Sequence, residues 1–273
     1  MPTCSLLAIG NELLNGEIRD RNLYTLSRRM TRLGFTVNAA VIARDESTTI
    51  REAVRFLLNP EPDLLICTGG LGPTQDDLTL KALAKALQRP LEDSDQARRL
   101  VEEQYERLFA RGYLHHAGPE VAREKMARVP EGATPLPNPI GTAPGVLMEH
   151  QTTLVYVLPG VPAEMEAILT ESILPSLRDR FELGAWAQGA LRVYVEDEAA
   201  VAQPLEEVGS RHPDVYLKSL ARPFPAASEE GLRVIVTAQA PSEAEAEEAV
   251  ERALTDLRRT FEDAGHQVSQ EPA

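Results

Sequence analysis

Two cysteines in 273 residues leave little scope for a disulfide framework, and both, Cys4 and Cys67, lie in or beside short apolar runs. They read as reduced core thiols of a cytoplasmic protein. No run of about 18 apolar residues is present, so no segment is expected to span a membrane. The N-terminus carries no basic stretch ahead of its apolar residues and does not read as a signal peptide. Basic residues are in deficit: 28 Lys and Arg against 42 Asp and Glu give a net charge of −14. That balance argues against a nucleic-acid partner and for solubility. An acidic chain that binds phosphate must find positive potential locally, in backbone amides, a few Arg or Lys, or a metal ion.

What is present is a soluble globular composition, 43% hydrophobic and 26% charged, in a chain long enough for one large domain or two ordinary ones. Its most informative stretch is Leu64–Asp77. Asp63–Cys67 reads as a buried parallel strand, bounded by a turn signal at Asn59–Pro62 and by glycines. Thr68-Gly69-Gly70-Leu71-Gly72 follows, then Thr74 and the acidic pair Asp76-Asp77, then a helical pattern through Leu80, Leu83 and Leu87. Glycines between a strand and a helix let backbone N–H groups approach an anion closely. The same residues would also serve a tight turn with no ligand. Two carboxylates beside a phosphate cradle make most sense with a bound cation.

Ser5–Ile9 and Phe35–Ile42 read as further strands, each followed by polar residues and a helix stripe. Three successive β-α units predict a parallel, doubly wound sheet whose crevice opens beyond the strand C-termini. Asn11 and Glu12 follow the first strand, and Asp45 follows the second. Asn22 is expected to cap a helix, with Asp20 left for a ligand, and Ser47 to cap the next. Residues 94–126 read as helical with a break at Gly112–Pro119; the His115-His116 pair there is not a metal site, because adjacent side chains diverge. Lys125 could meet a phosphate or be a solvated helix cation. The proline-rich loop holding Asn138 and Gly141 leads to a hairpin, Val146–Glu149 with Thr153–Leu158. Gly160 then precedes a proline-started helix with Glu164 in its first turn. A boundary is expected near Phe181–Gly189. Beyond it the order β-α-β-β-α indicates a small α+β module, and Gly265–Ala273 reads as a frayed tail.

Thr68-Gly-Gly-Leu-Gly-Pro-Thr-Gln-Asp-Asp77 resembles the signature of the molybdopterin-binding (MoaB/Mog-like) domain, in the version at the N-terminus of the CinA-like (competence/damage-inducible protein A) family. Three more segments match in the same order: Gly10-Asn-Glu-Leu-Leu-Asn-Gly16 with Asp20 and Asn22; Pro130-Glu-Gly-Ala133 with Asn138-Pro-Ile-Gly141; and Leu158-Pro-Gly-Val-Pro-Ala-Glu-Met165. The resemblance implies an α/β fold: a three-layer α/β/α domain with a mostly parallel sheet over residues 1–182, then a small KH-like α+β domain over 190–266. Residues 191–273 carry no Gly-x-x-Gly clamp and 17 acids against 8 bases, so the second domain is expected to pack or dimerise rather than bind RNA. A homodimer or other homo-oligomer is expected.

The resemblance implies a metal-dependent pyrophosphatase acting on a nucleotide diphosphate such as ADP-ribose. Asp76, Asp77 and Glu12 would hold Mg, Mn or Co and, with Lys125, carry the chemistry. Thr68, Gly69, Gly70, Gly72, Thr74, Asn11, Asp45, Asn138, Gly141 and Gly160 would bind substrate and phosphate. The alternative is a pterin-phosphate-binding or cofactor-biosynthesis protein without hydrolase activity. Mog-like proteins place a basic residue where this chain has Asp76, which favours the metal reading. A structural protein with a vestigial site is the third possibility. The deamidase of longer family members belongs to a C-terminal domain not found in this sequence, so deamidation is not expected. Gly70→Ala is expected to weaken phosphate binding far more than it lowers the melting temperature.

Overall fold

A computed structural model describes residues 1–115, 119–195, 197–220 and 230–271. Two compact units emerge, Met1–Met30 with Phe35–Glu182 and Thr31–Gly34 with Leu183–Ala273. In the first, strands β1 (Thr3–Ile9), β2 (Thr36–Ala43) and β3 (Leu64–Thr68) alternate with helices α1 (Asn11–Leu14), α2 (Asn22–Arg32), α3 (Ser47–Leu57) and α4 (Thr79–Ala86). Short strands β4 (Leu91–Asp93) and β5 (Arg128–Pro130) pair outside the main sheet, around helices α5 (Asp95–Ala110) and α6 (Glu120–Met126). Strands β6 (Thr134–Leu136), β7 (Gly145–His150) and β8 (Thr153–Leu158) complete the main sheet. Helix α7 (Pro162–Ile168) runs through a π-helical turn, Leu169–Ile173, into α8 (Leu174–Arg180).

The six-stranded sheet has the order β2-β1-β3-β8-β7-β6. β1 is parallel to β2 and β3, and β3 is parallel to β8, while β7 and β6 are antiparallel. This is the mostly parallel α/β architecture the strand pattern predicts, with β3 interior. β3 and β8 are buried along their whole length, as central strands covered on both faces must be. Leu7, Ile9, Leu65, Cys67, Val155 and Val157 join one core with Ile50 and Val54 of α3 and Leu83 of α4. The alternate residues Leu6, Ile66 and Tyr156 face the other way and are also buried. Both cysteines are free, and burial raises both thiols, Cys67 to about 12. The chain leaves β1 to one side for β2 and returns to its other side for β3, so the strand order reverses there. A crevice forms at such a reversal because the two following loops diverge.

The second unit is a four-stranded antiparallel sheet in the order β10 (Val215–Leu220), β11 (Leu232–Ala240), β9 (Ala185–Tyr194), β12 (Gln267–Glu271), with helices α9 (Ala199–Arg211) and α10 (Glu243–Asp263). Its first strand starts at Ala185, before the expected 190. The tail is a correction: Gln267–Glu271 is a strand on β9, not a frayed end. Arg192 of β9 binds the Glu271 carboxylate, an anchor between residues too distant in sequence to be read as partners. Ser47 is likewise not a cap; Glu46 holds that position, and Ser47 begins the helix. Ser94 and Ser242 cap α5 and α10, accepting from the N–H groups of Ala97 and Glu245. Among the described residues no helix is long and apolar enough to cross a membrane.

Candidate functional site

A cavity of about 540 Å³ opens at the C-terminal ends of β1, β3 and β8, at the reversal of strand order. Its lining includes Ile9, Glu12, Asp20, Asn22, Thr68, Gly70, Gly72, Asp77, Gly160 and Glu164. Sequence reasoning thus brings Glu12, Thr68, Gly70, Gly72, Asp77 and Gly160 to one place. Asp76, Lys125, Gly69, Thr74, Asn11, Asp45, Asn138 and Gly141 do not line it, and most of them support the residues that do.

The glycine loop divides into a clamped half and an open half. Gly69 has φ +106; its N–H donates to Leu158 O and its carbonyl accepts from Thr79 Oγ1 at 2.8 Å. A Cβ there would stand 2.1 Å from Ile9 O, so only glycine lets β1 and β3 approach this closely. Gly69 is therefore architectural, a correction to its phosphate-binding assignment, because its amide is already committed. The amides of Gly70, Leu71 and Gly72 have no acceptor among the described residues and remain available to an anion. Gly70 has φ +65, and a Cβ would lie 2.2 Å from Thr79 Oγ1, on a fully buried residue. Gly70→Ala therefore also costs stability, through the left-handed backbone and the contact with Thr79 together.

The acidic pair is spent on the loop itself. Thr74 N–H donates to Asp77 Oδ2 at 2.8 Å, and the Thr74 hydroxyl lies within hydrogen-bond distance of both Asp76 and Asp77. The Thr74 hydroxyl holds the Asp76 carboxyl below its usual range. Lys125 Nζ donates to the carbonyls of Gly72, at 3.3 Å, and Thr74, tying α6 to the loop. Burial lowers the Lys125 pKa, opposed by the charges of Asp77 and Asp76. Of the expected metal residues, Glu12 and Asp77 line the cavity and Asp76 does not. Among the described residues no group of three His, Cys, Asp or Glu could hold a metal ion, and Asp76 turns to Thr74 rather than the cavity.

Other assignments change for similar reasons. Asn22 is not a cap: Asp20 Oδ1 accepts from Leu23 N–H at 2.9 Å, while Asn22 is buried. Asn22 Nδ2 donates to Thr68 Oγ1 at 2.9 Å and to Gly160 O at 2.8 Å. Asp45 accepts the Asn11 N–H at 2.7 Å, so those two hold each other across α1 and β2. Asn138 is a scaffold. It donates to Ala143 O and Glu164 Oε2 and accepts the N–H groups of Ile140 and Gly141. Gly141 lies against Glu164, where a Cβ would fall 2.0 Å from Oε2. His116 of the histidine pair lies outside the described residues.

Three charged residues of the cavity lining, Arg19, Arg21 and Glu164, were not among the expected catalytic, binding or metal residues. Arg19 and Arg21 are exposed cations in the cavity lining. Their only signal in the sequence is that they flank Asp20. Glu164 projects from the first turn of α7, and burial raises its pKa, opposed by the Asn138 hydrogen bond. Read from the residues alone, a first-turn glutamate complements the helix dipole, while the family resemblance implies a place at the edge of the site for Glu164.

Residues 5–179 match the family model described as "Probable molybdopterin binding domain". A protein of Pyrobaculum arsenaticum is 41% identical over 252 residues, which cover 92% of each chain. A protein of Aeropyrum pernix is 38% identical, over 99% of this chain and 97% of its own. The crystal structure of the protein CinA, of unknown function, from Thermoplasma acidophilum superimposes with a TM-score of 0.56 at 31% identity. It covers 66% of this chain and 97% of that one.

Proposed function

This chain belongs to the molybdopterin-binding-domain family, and from that premise we propose that its cavity binds a phosphorylated pterin-type heterocycle without hydrolysing it. The observation that carries this reading is the open half of the glycine loop. Gly70, Leu71 and Gly72 line the cavity, their amides have no acceptor among the described residues, and Arg19 and Arg21 share the lining. Amides in series stabilise a phosphate without a metal, and the arginines add charge of the right sign. Ile9, Leu13, Pro159 and Val161 offer apolar walls for a planar ring.

Metal-dependent pyrophosphatase action fits the side chains less well. Asp77 is hydrogen-bonded to Thr74 and Asp76 faces the loop, so neither is poised with Glu12 around a common ion. The test is a calorimetric titration with neopterin monophosphate and with unphosphorylated neopterin, alongside ADP-ribose incubated with Mg, Mn or Co. Phosphate-dependent binding with no release of AMP is expected. Metal-dependent AMP release above the protein-free rate would replace this reading with the hydrolase.

A further inference from the structure

Glu164 and Asn22 share a feature that phosphate binding leaves unused. Both line the cavity and carry an acceptor oxygen without a donor among the described residues, Glu164 on a half-buried carboxylate and Asn22 on an oxygen sealed from solvent. Asn22 is 5% exposed, and both hydrogens of its Nδ2 are committed, to Thr68 Oγ1 and Gly160 O. The acceptor Gly160 O fixes the orientation of the amide, because only the nitrogen can face it. Asn22 Oδ1 is then left buried with no partner. A buried acceptor without a donor is costly, and native proteins seldom retain one that nothing satisfies.

Glu164 has the same deficit in a stronger form. Asn138 Nδ2 donates to its Oε2 at 2.7 Å, and no donor reaches Oε1 among the described residues. Asn138 cannot swing away, since its other three bonds hold the turn through Ile140, Gly141 and Ala143. Gly141 leaves the carboxylate its space, as a methyl group would overlap both oxygens. The carboxylate is thus held in place, half-buried, and paired with no cation among the described residues. A carboxylate offers two adjacent acceptors, the complement of two parallel N–H donors on one ring edge.

We propose that Glu164 forms an acceptor wall that selects the heterocycle, taking rings with an adjacent amino group and ring N–H, as in pterins and guanine. Glu164 receives that pair of donors, while Asn22 Nδ2 ties Thr68 to Gly160 in the same cavity lining. Adenine offers no such pair, and hypoxanthine offers only the ring N–H. The inference rests on the phosphate-binding reading, and its test separates the two.

The probes are GDP, IDP and ADP, which share the same diphosphate, titrated calorimetrically into wild-type protein together with neopterin monophosphate. GDP should bind more tightly than IDP by on the order of tenfold, the difference for one hydrogen bond to a charged group, and ADP more weakly still. Glu164→Gln, which replaces one acceptor by a donor, should bring GDP to the level of IDP. Gly141→Ala should do the same without removing the charge, by pushing the carboxylate out of register, and thermal unfolding checks that both variants fold. Should Glu164→Gln fail to fold, Gly141→Ala and the wild-type ranking still decide. Equal affinity of the wild type for GDP, IDP and ADP would overturn the acceptor wall and leave phosphate binding standing. Retention of the GDP preference in both variants would overturn it too. If neither neopterin monophosphate nor any nucleotide binds, the phosphate reading falls and the acceptor wall with it.

Discussion

The two units of this protein use the same ingredients, a sheet and packed helices, with different consequences. In the first, β1, β3 and β8 are parallel, so the loops that follow them all emerge at one end and converge on the cavity. In the second, β10, β11, β9 and β12 are antiparallel to their neighbours, so the C-terminal ends of adjacent strands alternate between the two ends of the sheet. Its polar side chains are spent on ion pairs instead: Asp256 alone is within reach of Arg211, His212 and Arg259. Strand direction, more than composition, decides where a chain can gather a site.

Substitutions can break that comparison, and the most severe acts where two strands of the parallel sheet nearly touch. Gly69→Ala combines a left-handed backbone with a methyl group driven into Ile9 O, and should cost roughly 2–5 kcal/mol in urea unfolding. A normal midpoint would mean that the convergence of β1 and β3 tolerates slack. Next comes Lys125→Met, which unties the open half of the loop from α6. It should weaken neopterin monophosphate binding about tenfold and speed amide exchange over residues 72–77, with little change in the midpoint. Unchanged exchange would show that the loop holds its shape without Lys125.

Smaller effects follow from the titrating groups. Burial raises the Glu164 pKa, so the folded state holds that proton more tightly than the unfolded chain. Stability is therefore lost as pH rises from the ordinary glutamate range through the folded pKa. Glu164→Gln should melt higher than wild type at neutral pH, the gap closing in acid; a lower melting temperature at neutral pH would contradict this. Asp256 has the opposite sign. The His212 hydrogen bond, followed by charges including Arg211 and Arg259, lowers its pKa. Its contribution is present above the ordinary aspartate range and lost as pH falls through the folded pKa. Asp256→Asn should destabilise the second unit by less than about 1 kcal/mol at neutral pH and by nothing in strong acid. Any loss of ligand affinity in that variant would blur the division of labour between the units.

The sequence by itself determined the parallel sheet and the identity of its crevice. Apolar runs at Ser5–Ile9 and Leu64–Cys67 and the glycines after them are local signals, and short-range sterics suffice to read them. It also marked Gly70, Gly72 and Gly160 as residues of the cavity wall. Only the tertiary structure decided what each neighbouring side chain does. Whether Asp77 faces an ion or Thr74, whether Asn138 meets a ligand or holds Glu164, and whether Gly69 offers its amide to an anion or to Leu158 depend on partners distant in the chain. The strand Gln267–Glu271 escaped for the same reason, since its partner β9 lies some seventy residues earlier. A polar group's role is set by which donor or acceptor reaches it first, and packing rather than sequence spacing chooses that neighbour.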